Sequence, residues 1–337
     1  MNYKNIACAA MIAGLTWALS PALVSAKTYV MKTGFATIND SQHKSAIWMK
    51  KELAETTGGQ IDLQIFPLSQ LGKIPRQIEG IQLGTQEAFI TPPGFFVGIN
   101  QAFQVADAPA LFDDMMHQVR ALNHPSVREK FLGLAERAGI IGNYIWCAGD
   151  TSFATSKPFK TLADLNGRKI RVLASKIEVA LMKEFGASGI PMPFTEVLPS
   201  IQRHVVDGVR SGIIVMGPMK FYTAAKYLTL TGQGYIPSAM WLSKVWLNKL
   251  PADLQQAIFV AGKKVTPLVA QWAVDLTHTW QKKWGELGGT VYRLSAAEQK
   301  EFNDRVRPLG DKMLAGNPKT APMYKLLKAA TVATRQK

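Results

Sequence analysis

The segment at residues 251–286 constrains this chain more than any other. Pro251 opens it, Ala252-Asp253-Leu254 forms its first turn, and Gly288-Gly289 stops it, the pattern of one continuous helix. At ~1.5 Å per residue such a helix runs ~50 Å, longer than one domain of this size needs. We read it as a strut crossing two domains; a kinked core helix is the plainer alternative. The 337 residues of the chain accommodate two domains at roughly 100–200 residues each.

Ahead of the strut, strands and helices alternate. Residues 29–35 read as a strand and 43–57 as an amphipathic helix ending at Gly58-Gly59. Residues 60–66 alternate polar and apolar with period two, as a half-buried strand does. A helix is expected at 74–83, stopped by Gly84, then an apolar run at 87–91 and a turn at Pro92-Pro93-Gly94. Residues 140–146 and 151–154 read as two strands flanking a turn at Ala148-Gly149-Asp150. Another strand is expected at 169–172, with helices at 176–185 and 196–204. The apolar run at 211–216 has only strand length. No segment beyond the N-terminus approaches the ~18–20 apolar residues of a membrane span, so a soluble mature protein is expected. The tail at 324–337 reads as a basic amphipathic helix packed on the surface. Alternation of this kind argues α/β layering with ligands at strand ends.

Residues 1–26 read as a secretory signal peptide. Lys4 lies in a short n-region, an uncharged run extends from Ile6 to Val24, and Val24-Ser25-Ala26 offers a small-residue cleavage site before Lys27. An uncleaved anchor is the alternative. Cleavage after Ala26 and release to the periplasm would remove Cys8 and leave Cys147 alone, an arrangement that cannot mispair under oxidising conditions. With two Cys in all, a disulfide framework and a multi-Cys zinc site are excluded. The net charge of +15 suits a nucleic-acid protein or a receptor for small anions. Export argues against nucleic acid, and a solvated basic surface would carry the same charge.

Catalytic signals are poor. His43, His117, His124, His204 and His278 are scattered without metal spacing, and no G-x-S-x-G, Walker loop or G-x-G-x-x-G occurs. Cys147 ends an apolar strand beside Trp146 and reads as a small buried residue rather than a nucleophile. Asp113-Asp114 look like a solvated helix start. The catalytic case fails on these residues, so no enzyme is expected; no cofactor is needed, and no dedicated carboxylate cage for a metal is evident.

The informative stretch is 160–235. Strand alternation sends Ile170 and Val172 to one face and Lys169 and Arg171 to the other. A guanidinium at a strand end can hold a carboxylate through two parallel hydrogen bonds, although from this strand alone a surface ion pair serves as well. The surroundings carry further motifs in order. They are Asp164-Leu165-x-Gly167-x-Lys169-Ile170-Arg171-Val172, Met192-Pro193-Phe194-Thr195-Glu196-Val197, Val206-Asp207-Gly208, Lys220-Phe221-Tyr222 and Lys226-Tyr227-Leu228-Thr229-Leu230-Thr231. Phe66-Pro67-x-Ser69-Gln70-Leu71-Gly72, Leu83-Gly84-Thr85 and Ala108-Pro109-Ala110-Leu111-Phe112 precede them. Together they resemble the solute-binding proteins of tripartite ATP-independent periplasmic (TRAP) transporters, the C4-dicarboxylate-binding-protein family, over residues 28–315.

The resemblance implies an α/β periplasmic binding protein of two domains, with an interdomain cleft and a long helix backing both. It implies that one organic acid anion closes the cleft, and that the closed form docks on small and large membrane permease subunits for sodium-coupled uptake. The family's carboxylate-clamping Arg falls on Arg171. Several positions depart from the family pattern. Its second Arg, twenty residues earlier, is here Thr151; after Val-Asp-Gly, where Gln-Glu-Asn-Pro is usual, this chain has Val209-Arg210-Ser211-Gly212. A polar position on the first strand is Phe35, one after the third strand is Pro92, and Gly232-Gln233-Gly234 replaces an Asn-His before Tyr235. These changes suggest an apolar slot with one anionic end, suited to an aromatic or keto monocarboxylate. Thr151 and Ser211 would donate hydroxyls beside the clamp. Phe35, Phe194 and Tyr235 would shape the apolar part unless they are core, and Thr91 and Pro92 would line the opposing wall. Arg210 would offer a second cation to a dicarboxylate or pair with a surface acid on the hinge.

The expected division is domain I at 27–150 plus 236–270, domain II at 151–235 plus 271–316, and a C-terminal basic helix at 317–337. A monomer is expected rather than a dimer. The alternative reading is a periplasmic sensor that presents its ligand to a signalling receptor.

Overall fold

The computed structural model describes residues 27–336; the expected signal peptide, with Cys8, lies outside the described residues. The first lobe opens with β1 (Tyr29–Gly34), α1 (Ser41–Thr56), β2 (Ile61–Phe66), α2 (Ile74–Leu83) and β3 (Ala88–Thr91). Local chemistry sets these boundaries. The Asp40 carboxylate accepts from the His43 amide at 3.1 Å to cap α1, and Gly84 ends α2 at a φ of 77° that suits glycine. After α3 (Met115–Leu122) and α4 (Arg128–Leu132), the long strand β4 (Ile140–Thr155) leads into the second lobe. That lobe holds β5 (Lys169–Val172), α5 (Lys176–Glu184), β6 (Ser188–Pro191), α6 (Val197–Gln202), β7 (Gly208–Gly212) and α7 (Ile213–Met216). The chain returns along β8 (Tyr227–Ser243) to α8 (Lys244–Leu247) and α9 (Ala252–Glu286). It closes with β9 (Thr290–Arg293), α10 (Ala296–Gly310) and α11 (Ala321–Thr334).

One sheet runs through both lobes in the order β2-β1-β3-β8-β4-β7-β5-β6, with β9 on β8. β1 is parallel to β2 and β3, and β5 is parallel to β6 and β7. Between these parallel halves, β4 and β8 run antiparallel and belong to both. β3 pairs with β8 at 239–242, whereas β7 pairs with β4 at 151–155. The lobes are therefore joined by two strands and not by a flexible linker.

Two sequence expectations change here. Residues 140–146 and 151–154 are parts of one strand, because the break at Ala148-Gly149-Asp150 is absorbed as irregular register opposite β8. Gly149 makes this possible with a φ of 132°. The run at 211–216 is half strand and half helix: β7 ends at Gly212 and Ile213–Met216 forms a single helical turn. A short buried apolar run has no periodicity to distinguish the two.

Helix α9 crosses the lobes as its length required. It stays helical through Pro267 over 35 residues. Toward the first lobe, Trp272 meets Trp48 of α1 edge-on at 6.3 Å and Lys264 pairs with Glu52. At the far end Trp284 Nε1 donates to the Lys226 carbonyl at 2.9 Å, beside the start of β8. The main core runs along β4, β8 and α9. A second cluster, including Phe153, Phe159, Ile170, Leu181 and Phe302, fills the second lobe. Helix α11 docks on α3, where Arg120 Nε donates to the Thr334 carbonyl at 3.1 Å.

Candidate functional site

Arg171 is the third residue of β5 and is fully buried. Its Nε and Nη2 both donate to the Met192 carbonyl, at 3.1 and 3.0 Å. Pro191 and Pro193 flank that carbonyl just beyond β6, and prolines hold a fixed backbone shape there. The Phe194 ring lies over the guanidinium, 5.2 Å from Cζ to the ring centroid, and itself stacks on Phe221 at 5.3 Å. The side chain is thus held on two sides, while Nη1 has no partner among the described residues. Burial pulls the guanidinium pKa down to about 10, with the Glu178 carboxylate acting against it, so the group remains cationic at neutral pH. A buried cation without an adjacent anion is costly. Arg171 is therefore suited to an anion from outside the chain.

The space in front of Arg171 is a small cavity lined by both lobes. The second lobe contributes Arg171, Leu173, Phe194, Ser211 and Val215. The first lobe contributes Ala36, Gln42, Thr91, Pro92 and Phe95, and the hinge strands add Ala148 and Ile236. Among the residues lining it, Arg171 alone is charged.

Register explains which expected residues meet here. Arg171 is opposite Val209 across β5 and β7, so Ser211, two residues on, shares its face. Thr91 and Pro92 reach the cavity because β3 ends at its rim; the Thr91 carbonyl accepts from Trp241 Nε1 at 3.1 Å. Arg171, Ser211, Phe194, Thr91 and Pro92 are thus brought together.

Four others are not. Arg210 alternates to the far face of β7 from Ser211 and forms a buried ion pair with Glu178 of α5. Of the two options left open for it, pairing with an acid is what occurs, although that acid is buried and not on the surface. Thr151 lies with Arg210: its hydroxyl accepts from Arg210 Nη2 at 3.0 Å and donates to the Gly234 carbonyl at 3.0 Å. Phe35 is core, fully buried with its ring 5.5 Å from His43. Tyr235 turns away to a surface groove beside Asp114 and His278, where its hydroxyl donates to the Asp113 carbonyl at 2.8 Å.

Sequence reasoning missed Gln42, Phe95, Leu173 and Val215. None sits in a motif, and each reaches the cavity only through the pairing of the lobes. It also missed Asp107. This carboxyl is buried against Glu178 and Arg210, and burial, with the Glu178 charge second, raises its pKa to about 8. Cys147 is buried as expected, and burial pushes its thiol pKa up. No group able to hold a metal occurs among the described residues.

Known proteins share this architecture. The family model described as "Bacterial extracellular solute-binding protein, family 7" matches residues 34–317. The 2,3-diketo-L-gulonate-binding periplasmic protein YiaO of Escherichia coli is 32% identical over 266 residues, covering 78% of this chain and 80% of its own. The C4-dicarboxylate-binding periplasmic protein DctP of Rhodobacter capsulatus is 29% identical over 306 residues, covering 89% and 90%. A TRAP periplasmic solute binding protein from Desulfovibrio salexigens, solved with bound orotic acid, superposes with a TM-score of 0.86. It is 25% identical and covers 91% of this chain and 100% of its own.

Proposed function

We propose that this chain, which belongs to family 7 of the bacterial extracellular solute-binding proteins, captures a small monocarboxylate with an apolar body, aromatic or keto-bearing. Its family is a TRAP transport receptor family and not an enzyme family. Among the described residues no helix is long and apolar enough to cross a membrane. The finer reading rests on one observation: a single buried guanidinium, with Nη1 uncommitted, faces a cavity whose other walls are mostly apolar. Orotic acid, held by the Desulfovibrio relative, matches in being one carboxylate on a flat ring, although that ring carries N–H and carbonyl groups. The keto acid in the YiaO name is a second chemistry of the same charge.

Capture would proceed by closure of the lobes over the acid. Exposed ion pairs are worth only ~0–1 kcal/mol, whereas a charge-assisted hydrogen bond shielded from water contributes about 1.5–3 kcal/mol. Closure supplies the shielding. A hinge at 150/151 and 235/236 is supported by the changes of register in β4 on either side of Asp150, which lies opposite Tyr235. Such a hinge would fit a division into 27–150 plus 236–270 and 151–235 plus 271–316, with a C-terminal segment at 317–337. The closed monomer would deliver its acid to membrane permease subunits after export and cleavage behind Ala26. The alternative of a sensor's ligand-presenting protein finds no support in the fold or in the named relatives.

A thermal-shift panel of benzoate, phenylpyruvate, orotate and succinate on wild type and Arg171→Ala tests this reading. A ligand at 100 times its Kd stabilises by about 2.7 kcal/mol. Monocarboxylates should raise the wild-type Tm and leave the variant unmoved. Shifts from succinate alone, or shifts that persist in Arg171→Ala, overturn it.

A further inference from the structure

Gln42 is 5% exposed and lines the cavity from the first turn of α1. Its side-chain amide has no hydrogen-bond partner among the described residues. Three other buried glutamines of the first lobe are committed, and a fourth, Gln104, has no partner for its Oε1 among the described residues but lies outside this cavity. Gln77 Nε2 donates to the Gly72 carbonyl at 2.7 Å. Gln86 Nε2 donates to Gln77 Oε1 at 3.0 Å and to the Ala88 carbonyl at 2.7 Å. Gln118 Nε2 donates to the Tyr235 carbonyl at 2.9 Å. Those three serve the fold, and Gln42 does not. Buried polar groups are ordinarily satisfied, so an amide facing a cavity with nothing to bond is a recognition group waiting for its partner.

We propose that Gln42 is a specificity-determining residue, reading a neutral hydrogen-bonding group on the part of the ligand held by the first lobe while Arg171 holds the carboxylate from the second. An amide offers two N–H donors and a carbonyl acceptor, so it serves a hydroxyl, a carbonyl or a ring lactam equally. It cannot neutralise charge, and no first-lobe residue lining the cavity is cationic. A second carboxylate is therefore a poor match for that end, and so is a bare hydrocarbon, which would leave the amide unsatisfied. The class selected is a carboxylic acid with a neutral polar group remote from the carboxylate. This rests on the monocarboxylate reading above and refines it.

Isothermal titration of the mature chain with the matched pairs 4-hydroxybenzoate and benzoate, and 4-oxopentanoate and pentanoate, provides the test. Wild type should prefer the polar member of at least one pair by about 10- to 100-fold, the range set by one unsatisfied buried group. Gln42→Leu should bring that ratio close to one, by weakening the polar member and binding the apolar member as tightly as wild type or more tightly. Its ligand-free Tm should equal or exceed that of wild type, because a merely structural glutamine would lower it. Gln42→Met repeats the test should the leucine variant fold poorly. An unchanged ratio in both variants overturns this inference; if binding still requires Arg171, the monocarboxylate reading stands without it. Should no acid of either pair bind wild type, the inference falls.

Discussion

Asp107→Asn should flatten the pH dependence of stability on the alkaline side of neutrality. Asp107 ends the turn Gln101–Asp107 in the first lobe, and its carboxyl faces Ser175, Glu178 and Arg210 of the second. Gly94 contributes only backbone; a Cβ there would come within 2.7 Å of Asp107 Oδ2. Burial, with the Glu178 charge adding to it, raises the pKa from 3.8 to about 8. Between those values the folded chain keeps a proton that the unfolded chain gives up. The stabilisation is complete below the lower value and is lost as pH rises through the upper one. Asp40 and Asp150, each raised by burial to about 6, act in the same direction but finish earlier. His43, lowered by burial from 6.5, acts in the opposite direction and below that value. The interval from about pH 6.5 to 8 therefore belongs to Asp107, at up to about 1.4 kcal/mol per pH unit.

The assay is thermal unfolding of the ligand-free protein, followed by circular dichroism at several pH values from about 5.5 to 8.5. At roughly 2–4 °C per kcal/mol for a protein of this general size, wild type should lose several degrees over the alkaline half. Asp107→Asn, which carries a neutral amide of the same shape, should stay level there and melt above wild type at the top of the range. A variant that keeps the wild-type slope, or melts lower than wild type in alkali, refutes the reasoning.

Arg210→Met should cost about 3–5 kcal/mol, because it strands the buried Glu178 carboxylate; pairing it with Glu178→Met should recover most of that loss, as read by urea denaturation. The double variant should also keep acid binding, and a loss as deep as that of Arg171→Ala would make Arg210 a ligand cation. Cys147 should resist iodoacetamide in the native protein and react once guanidinium unfolds it, since burial both shields the thiol and disfavours the thiolate. Native-state labelling found by peptide mapping contradicts its buried placement.

The parts of the fold legible in the sequence were those with local causes. Helix α2 begins and ends where expected because a proline in its first turn and Gly84 after it mark both boundaries. Strand β2 carried its period-two alternation openly. β8 was hidden because Gly232, Gly234 and Pro237 all read as breakers, yet the strand continues through them against β4 and β3. Nothing in a single segment reports that a partner strand will absorb a bulge. The site divides in the same way: Arg171 sits in a dense motif, whereas the role proposed for Gln42 comes from its place in the assembled cavity, which no single segment reports.

The two buried arginines of the second lobe show why charge has to be counted after folding. Arg171 and Arg210 lie on adjacent paired strands, β5 and β7, and from sequence both could address a ligand. Alternation separates them: Ser211 shares the face of Arg171, and Arg210 is turned away toward Glu178. The Glu178 carboxylate cancels the Arg210 charge, and Thr151 engages one of its nitrogens. What reaches the cavity is one unit of positive charge and not two. A ligand with one carboxylate neutralises it. A second carboxylate would enter the cavity without a cation, and a charge stranded in that way costs several kcal/mol. On the proposed reading, the preference for a monocarboxylate therefore follows as much from an ion pair outside the cavity as from the residues that line it.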